Sequence, residues 1–212
     1  MDSFFFRKSE ENRVKSEGRL PPGQSLTQKF PVLHYGPVPD FNPETWDFRA
    51  WGEVEKQLKL SWEEFSSLPK TRLVMDIHCV TRWSKFDTEW EGVSVKTLLD
   101  LGLLKLKPGV KYVVQHAEFG FTTNLPLEIT LAENFLMATH FDGKPITPDH
   151  GYPLRGVVGA IPLKKDLSTP YFWKGAKLLR GLEFLAEYQP GFWERAGYHN
   201  DADIWKEERF GD

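Results

Sequence analysis

A chain of 212 residues supports one large domain with a substantial core, or two small ones. Its net charge of −3 argues against an electrostatic nucleic-acid binder, and its single cysteine, Cys79, excludes an internal disulfide. Hydrophobic residues make up 40% and aromatics 14%, and no apolar run reaches the ~20 residues needed to span a bilayer, so neither a membrane nor a nucleic-acid partner is expected. The opening Met1-Asp-Ser-Phe-Phe-Phe-Arg-Lys carries no apolar signal core and no twin-arginine pair, which predicts a cytoplasmic protein.

Residues 1–29 read as an extended amino-terminal arm, because 7–29 are charged, hold Gly and Pro and contain few aliphatics. One domain is expected over 30–212. It opens on Phe30–Pro39, a loop with three prolines that also carries His34 and Tyr35. Alternation at Trp46, Phe48 and Ala50 predicts a strand. Ser61 and Glu64 have capping-box spacing, so a short helix follows, ending before Pro69. Residues 71–79 read as a strand running into Asp76-Ile-His-Cys79-Val-Thr-Arg82-Trp83-Ser84. Trp90-Glu-Gly-Val reads as a turn, with Ser94 capping a helix over 95–104. A β-branched strand over 111–116 is followed by a polar loop at 120–124, a helix over 127–134, and a strand over 135–141 closed by an Asp142-Gly143 turn. A strand over 181–188 precedes an aromatic tail. Strands and short helices without regular βαβ alternation predict an α+β domain with a mixed, partly barrel-like sheet.

A lone cysteine is commonly an inert buried residue. It can also be a nucleophile, with His78, His116 or His150 as its base, and sequence does not choose among them. The six histidines are scattered without zinc spacing, and no Gly-x-Ser-x-Gly elbow exists. Arg155, in a Gly- and Pro-rich loop, and Lys174-Gly-Ala-Lys177 offer cations and amides suited to a phosphate; solvated charges beside a core strand are the alternative.

Four blocks occur in order: the Phe30–Pro39 loop; Cys79-Val-Thr-Arg-Trp-Ser with Trp90-Glu-Gly-Val; His150-Gly-Tyr-Pro-Leu-Arg155; and Tyr-Phe-Trp-Lys174-Gly-Ala-Lys177. Together they resemble the molybdopterin-binding domain of the sulfite oxidase family across residues 30–200. The resemblance implies one molybdenum-molybdopterin per chain, with the Cys79 thiolate as the metal ligand. It places His34, His150, Arg155, Lys174, Gly175 and Lys177 on positions that hold the pterin and its phosphate. Thr123 falls where further pterin contacts lie. Tyr198 resembles a tyrosine facing the metal's oxygen ligands, and Tyr198 or Arg82 would donate a hydrogen bond to the transferring oxygen.

The implied activity is two-electron oxygen-atom transfer on a small molecule of sulfite, sulfoxide or N-oxide type. A non-catalytic cofactor-binding protein is the alternative. Val32 and Leu33 stand where sulfite oxidases have an Arg-Asn pair, which weakens the pull on a small dianion. One cysteine cannot hold an iron–sulfur cluster, so a separate electron-transfer partner is expected. The family's dimerisation domain has no counterpart here, so a monomer is expected.

Overall fold

The computed structural model describes residues 2–162 and 164–211. Its strands form two mixed sheets with short helices between them, an α+β architecture in which neither described sheet closes into a barrel. The first sheet joins β1 (Ser25–Leu26), β4 (Thr71–His78), β5 (Trp83–Val93), β8 (Phe135–Phe141), β9 (Lys144–Pro145) and β10 (Arg155–Val158). The second runs β3 (Leu58–Ser61), β2 (Asp47–Gly52), β11 (Leu179–Leu185), β6 (Tyr112–Ala117) and β7 (Thr122–Pro126). In it β2 and β11 are parallel and the remaining pairs antiparallel.

Side-chain alternation assigns each strand two faces. In β8, Phe135 and Met137 join a core between the sheets with Phe48, Leu182 and Phe184. Leu136 and Ala138 point to the opposite face, packing with Ile77, Trp90 and Phe172. That second cluster lies against the strand leading to Cys79, so the site stands on a packed base.

Several local expectations hold. The Ser61–Glu64 capping box forms in both directions, at 3.2 and 2.8 Å, and starts α2 (Trp62–Ser66). Ser94 caps α3 (Val95–Asp100), which stops short of residue 104. Helix α4 (Leu127–Leu131) and the Asp142-Gly143 turn between β8 and β9 also form. Two elements differ. The 120–124 segment becomes strand β7 from Thr122 on, paired to β6. Trp90-Glu-Gly-Val is not a turn but the end of the long strand β5. Gly92 is there because the partner strand lies very close: a methyl group would come within 2.1 Å of the Met137 carbonyl oxygen.

The amino-terminal arm is not extended either. Asp2–Ser16 forms helix α1, because Glu, Lys and Arg at 11, 13, 15 and 17 are good helix formers that pair four apart, as in Lys15–Glu11 and Arg13–Glu17. It closes in a Schellman motif, with Arg19 N–H bonded to Val14 O at 2.9 Å and Gly18 N–H to Lys15 O at 3.0 Å. Val14 is buried with Leu26 and Phe86. Arg19 then grips the buried Asp76 with two bonds of 2.7 and 2.8 Å. Composition had hidden this docking, since it depends on a carboxylate 57 residues away.

Gly92→Ala should lower the urea midpoint with a loss of about 1–3 kcal/mol, the cost of overpacking against backbone that cannot yield. An unchanged midpoint would refute the close approach.

Candidate cofactor and metal site

Strand β4 ends at His78, and Cys79–Arg82 turns the chain into β5. The Cys79 amide donates to Trp83 O at 2.8 Å, and the Arg82 amide donates to Cys79 O at 3.0 Å. Arg82 takes the left-handed conformation, φ 73°, that closes so tight a turn. The Cys79 side chain is buried, with Sγ 3.1 Å from the Thr81 hydroxyl. Burial pushes the thiol pKa up, against the Thr81 hydrogen bond and the charge of Arg209. A metal would have to displace the proton, as ligation by thiolate requires.

The imidazoles are engaged elsewhere. His78 bonds Ser84 at 2.8 Å, and burial holds its pKa down at about 3. His116 meets Glu183 at 2.8 Å. His150 stacks on Phe30 with ring centroids 3.8 Å apart, and burial with the charges of Lys177 and Arg155 lowers its pKa to about 4. None of the described histidines hydrogen-bonds the sulfur, which leaves a cysteine-hydrolase reading without its base.

Cys79 lines a cavity of about 340 Å³. Its aromatic walls include Trp83, Trp173, Trp193 and Tyr198, and its charged lining includes Arg155 and Lys177. Arg155 is 1% exposed, starts β10, donates to His150 O at 2.9 Å and lies over the Phe172 ring at 4.4 Å. Burial lowers its pKa to about 9. Lys177 bonds Asp149 O at 2.6 Å, and burial together with Arg155 lowers its pKa to about 7. Neither cation has a carboxylate within salt-bridge distance among the described residues. Two lining indoles, Trp83 and Trp173, keep buried Nε1–H donors without a partner among the described residues, and His34 Nδ1 is a third such nitrogen, an acceptor because Nε2 donates to Pro37 O at 3.1 Å. A cavity with spare donors and unpaired cations fits an anionic, acceptor-rich ligand.

Gly175 also lines the cavity, and its close packing explains it: a methyl group there would sit 2.3 Å from Gly156 O. The expected residues therefore divide. Cys79, His34, Arg155, Gly175, Lys177 and Tyr198 line the cavity. His150 stands just behind, through its stack on Phe30 and its carbonyl to Arg155.

Three others do not reach it. Arg82 shapes the turn through its backbone while its side chain is exposed. Thr123 is sealed in the middle of β7. Lys174 turns inward, bonded to Glu194 at 2.7 Å and Asn124 at 3.1 Å, both bonds fully buried. It pins α5 (Phe192–Arg195), which carries Trp193, to the second sheet.

Gln115 was not legible in the sequence. It is 1% exposed in β6, donates to Lys174 O at 2.6 Å and accepts from the Ala176 amide at 3.0 Å. It thereby fixes the backbone of the 174–177 segment. A polar residue inside a β-branched run was the only available signal.

The family model described as "Oxidoreductase molybdopterin binding domain" matches residues 35–193. The chain belongs to that family. It is 45% identical over 194 residues to the uncharacterized oxidoreductase YuiH of Bacillus subtilis (strain 168), covering 91% of this chain and 92% of that one. It is 25% identical over 170 residues to a Campylobacter jejuni protein-methionine-sulfoxide reductase catalytic subunit, MsrP, covering 73% of this chain. Over 223 residues it is 24% identical to the sulfite oxidase of Arabidopsis thaliana, covering 84% of this chain. It spans about half of the latter two, 54% and 53%. Its fold resembles that of the sulfane dehydrogenase SoxCD from Paracoccus pantotrophus, with a TM-score of 0.62, 18% identity, and coverage of 77% and 43% of the two chains. The chain is thus a sulfite oxidase-like oxidoreductase, and its donor-rich cavity fits the family's molybdenum-molybdopterin.

Removing one member of the buried Lys174–Glu194 pair, as in Lys174→Met or Glu194→Gln, should cost about 3–5 kcal/mol in chemical denaturation. The Lys174→Met, Glu194→Leu double variant should recover much of that loss; additive losses would refute the pairing. Lys177 contributes to stability in the opposite sense from a paired cation. Its folded pKa of about 7 lies below the ordinary 10.5, so the unfolded chain binds this proton more tightly. Cofactor-free protein should therefore gain stability relative to Lys177→Met as pH rises from 7 toward 10, read by melting both proteins across that range.

Proposed function

We propose that the chain is a molybdenum-molybdopterin-dependent oxidoreductase that carries out two-electron oxygen-atom transfer on a small, uncharged substrate. Cys79 is the metal ligand in this reading. The observation that carries it is the single cysteine lining a cavity of about 340 Å³ together with two cations that have no carboxylate partner among the described residues. When bound, the molybdenum centre supplies the exchange of an oxygen atom and two electrons with the substrate. The protein's part is holding and shaping. Arg155 and Lys177 would anchor the cofactor's phosphate, Trp83 and Trp173 would offer N–H donors and His34 Nδ1 an acceptor to its polar edges, and Gly175 would let the backbone come close. Tyr198, set between Trp173 and Trp193 at 5.7 and 5.2 Å, would supply a phenolic donor to the substrate's oxygen. Electrons pass to or from a separate protein.

An uncharged sulfoxide or N-oxide suits the remaining space better than sulfite. The cofactor's phosphate would engage the two cations, Arg82 is exposed, and the mouth carries Leu33 at 51% exposure beside Tyr35. Little charge is left to hold a second anion.

Protein from a molybdenum-competent host should hold about one molybdenum per chain through its one thiolate, and Cys79→Ser should lose it. In steady-state assays kcat/KM for a neutral sulfoxide should exceed that for sulfite about tenfold or more, the scale of lost electrostatic steering. Full metal retention by Cys79→Ser would overturn the ligand assignment. A preference for sulfite would overturn the substrate class, and no turnover of either would favour a cofactor-binding protein.

A further inference from the structure

Arg209, near the carboxy terminus, reaches back 129 residues and donates from Nη1 to the carbonyl of Val80 at 2.5 Å. Val80 is the residue directly after Cys79. Arg209 is 7% exposed, its guanidinium lies 4.9 Å over the Tyr171 ring, and among the described residues its one carboxylate partner is Glu207, at 3.6 Å. A cation this buried is costly, and spending its best hydrogen bond on one backbone carbonyl is unusual unless that carbonyl must be held. The loop that delivers it is itself over-determined. Ala202 and Glu207 adopt left-handed backbone, φ 57° and 55°, although neither is glycine. Tyr171 N–H bonds Ala202 O at 2.8 Å, and Gly211 N–H bonds Gly197 O at 2.9 Å. His199 Nδ1 accepts the amides of Asp201 and Ala202 at 3.1 and 3.2 Å, so the nearby His199–Asp201–Glu208 group is a brace of this loop and not a metal site.

The rest of the turn is tied from the other terminus. Gln24 donates to Cys79 O at 3.1 Å, and the Ser25 amide donates to Arg82 O at 3.0 Å. The amino-terminal segment reaches neither Val80 O nor Thr81 O, and Arg209 holds the first of these.

We infer that Arg209 is a positioning residue for the metal ligand: it clamps the Val80 carbonyl and so fixes where the Cys79 sulfur points. This rests on Cys79 being the ligand. Outer partners of metal ligands orient them, and their loss commonly costs about 10- to 100-fold in metal affinity.

The test compares full-length wild type, Arg209→Met and Arg209→Lys from molybdenum-competent cells. Three quantities are read: the half-time of molybdenum loss, the sulfur-to-metal absorption band, and, in cofactor-free protein, amide exchange at Thr81 and Arg82. Arg209→Met should lose metal about 10- to 100-fold faster, shift the band, and exchange the Arg82 amide faster while β4 and β5 stay protected. Arg209→Lys, which keeps a donor but not the planar stack, should fall between. Among whichever variants fold, metal loss at the wild-type rate with an unmoved band overturns the assignment. A wild type without molybdenum would refute Cys79 as ligand instead; exchange at Arg82 then decides alone, and an unchanged rate overturns the clamp.

Discussion

The site depends on how closely the backbone of residues 174–177 lies against β10. Gly156 N–H bonds Ala176 O at 2.8 Å, and no side chain fits between Gly156 and Gly175. Gln115 closes the contact from the neighbouring sheet with a hydrogen bond to either side of Gly175. This contact brings Arg155, on one strand, and Lys177, on the next segment, to the same cavity. It also sends Lys174 to the opposite side, into the protein. One short motif thus supplies both a ligand-facing cation and an internal brace, and the brace keeps Trp193 in place on the cavity wall.

The sulfur reaches that cavity by an equally constrained route. The β4–β5 turn has only four residues, and three of its carbonyls are claimed from the two ends of the chain: Cys79 O by Gln24, Val80 O by Arg209, and Arg82 O by Ser25. Arg19 adds a bidentate grip on Asp76, three residues before the cysteine. The termini are therefore parts of the site's support, although neither lines the cavity. Placing a ligand to within a fraction of an ångström needs such a second layer, because a four-residue turn on its own is soft.

Motif order was enough to find the residues whose chemistry is unusual for their position: the lone Cys79, Arg155 among glycines and prolines, and Lys177 beside Gly175. It could not say which side of the backbone each side chain takes. Lys174 and Thr123 sit in the expected segments yet face inward, and Arg82 faces water: side-chain direction in a turn or a 3-10 segment follows from tertiary packing, and Thr123 lies in a strand where a loop was expected. The missed residues share another property. Gln115, Glu194 and Arg209 act on partners 59, 20 and 129 positions away, and their own surroundings look like ordinary strand, helix and tail. The amino-terminal helix was hidden for the same reason. Its residues from Arg7 on are mostly polar, and what anchors it, Asp76 and the cluster of Leu26 and Phe86, lies elsewhere in the chain.

The cavity's polar groups also tie the ligand to the stability of the fold. Arg155 is buried without an anion, and His34, Trp83 and Trp173 each bury a nitrogen with no partner. Each such group costs about 1–3 kcal/mol when left unsatisfied, more for a charge. These groups are concentrated at one place, and a ligand bearing a phosphate and ring acceptors would pair them on binding. Because such a ligand binds the folded chain alone, its affinity adds to folding stability by mass action. The same polar groups make binding selective, since an apolar molecule of equal size would leave them unpaired. Selectivity for such a ligand and its stabilising effect on the fold thus share one physical origin.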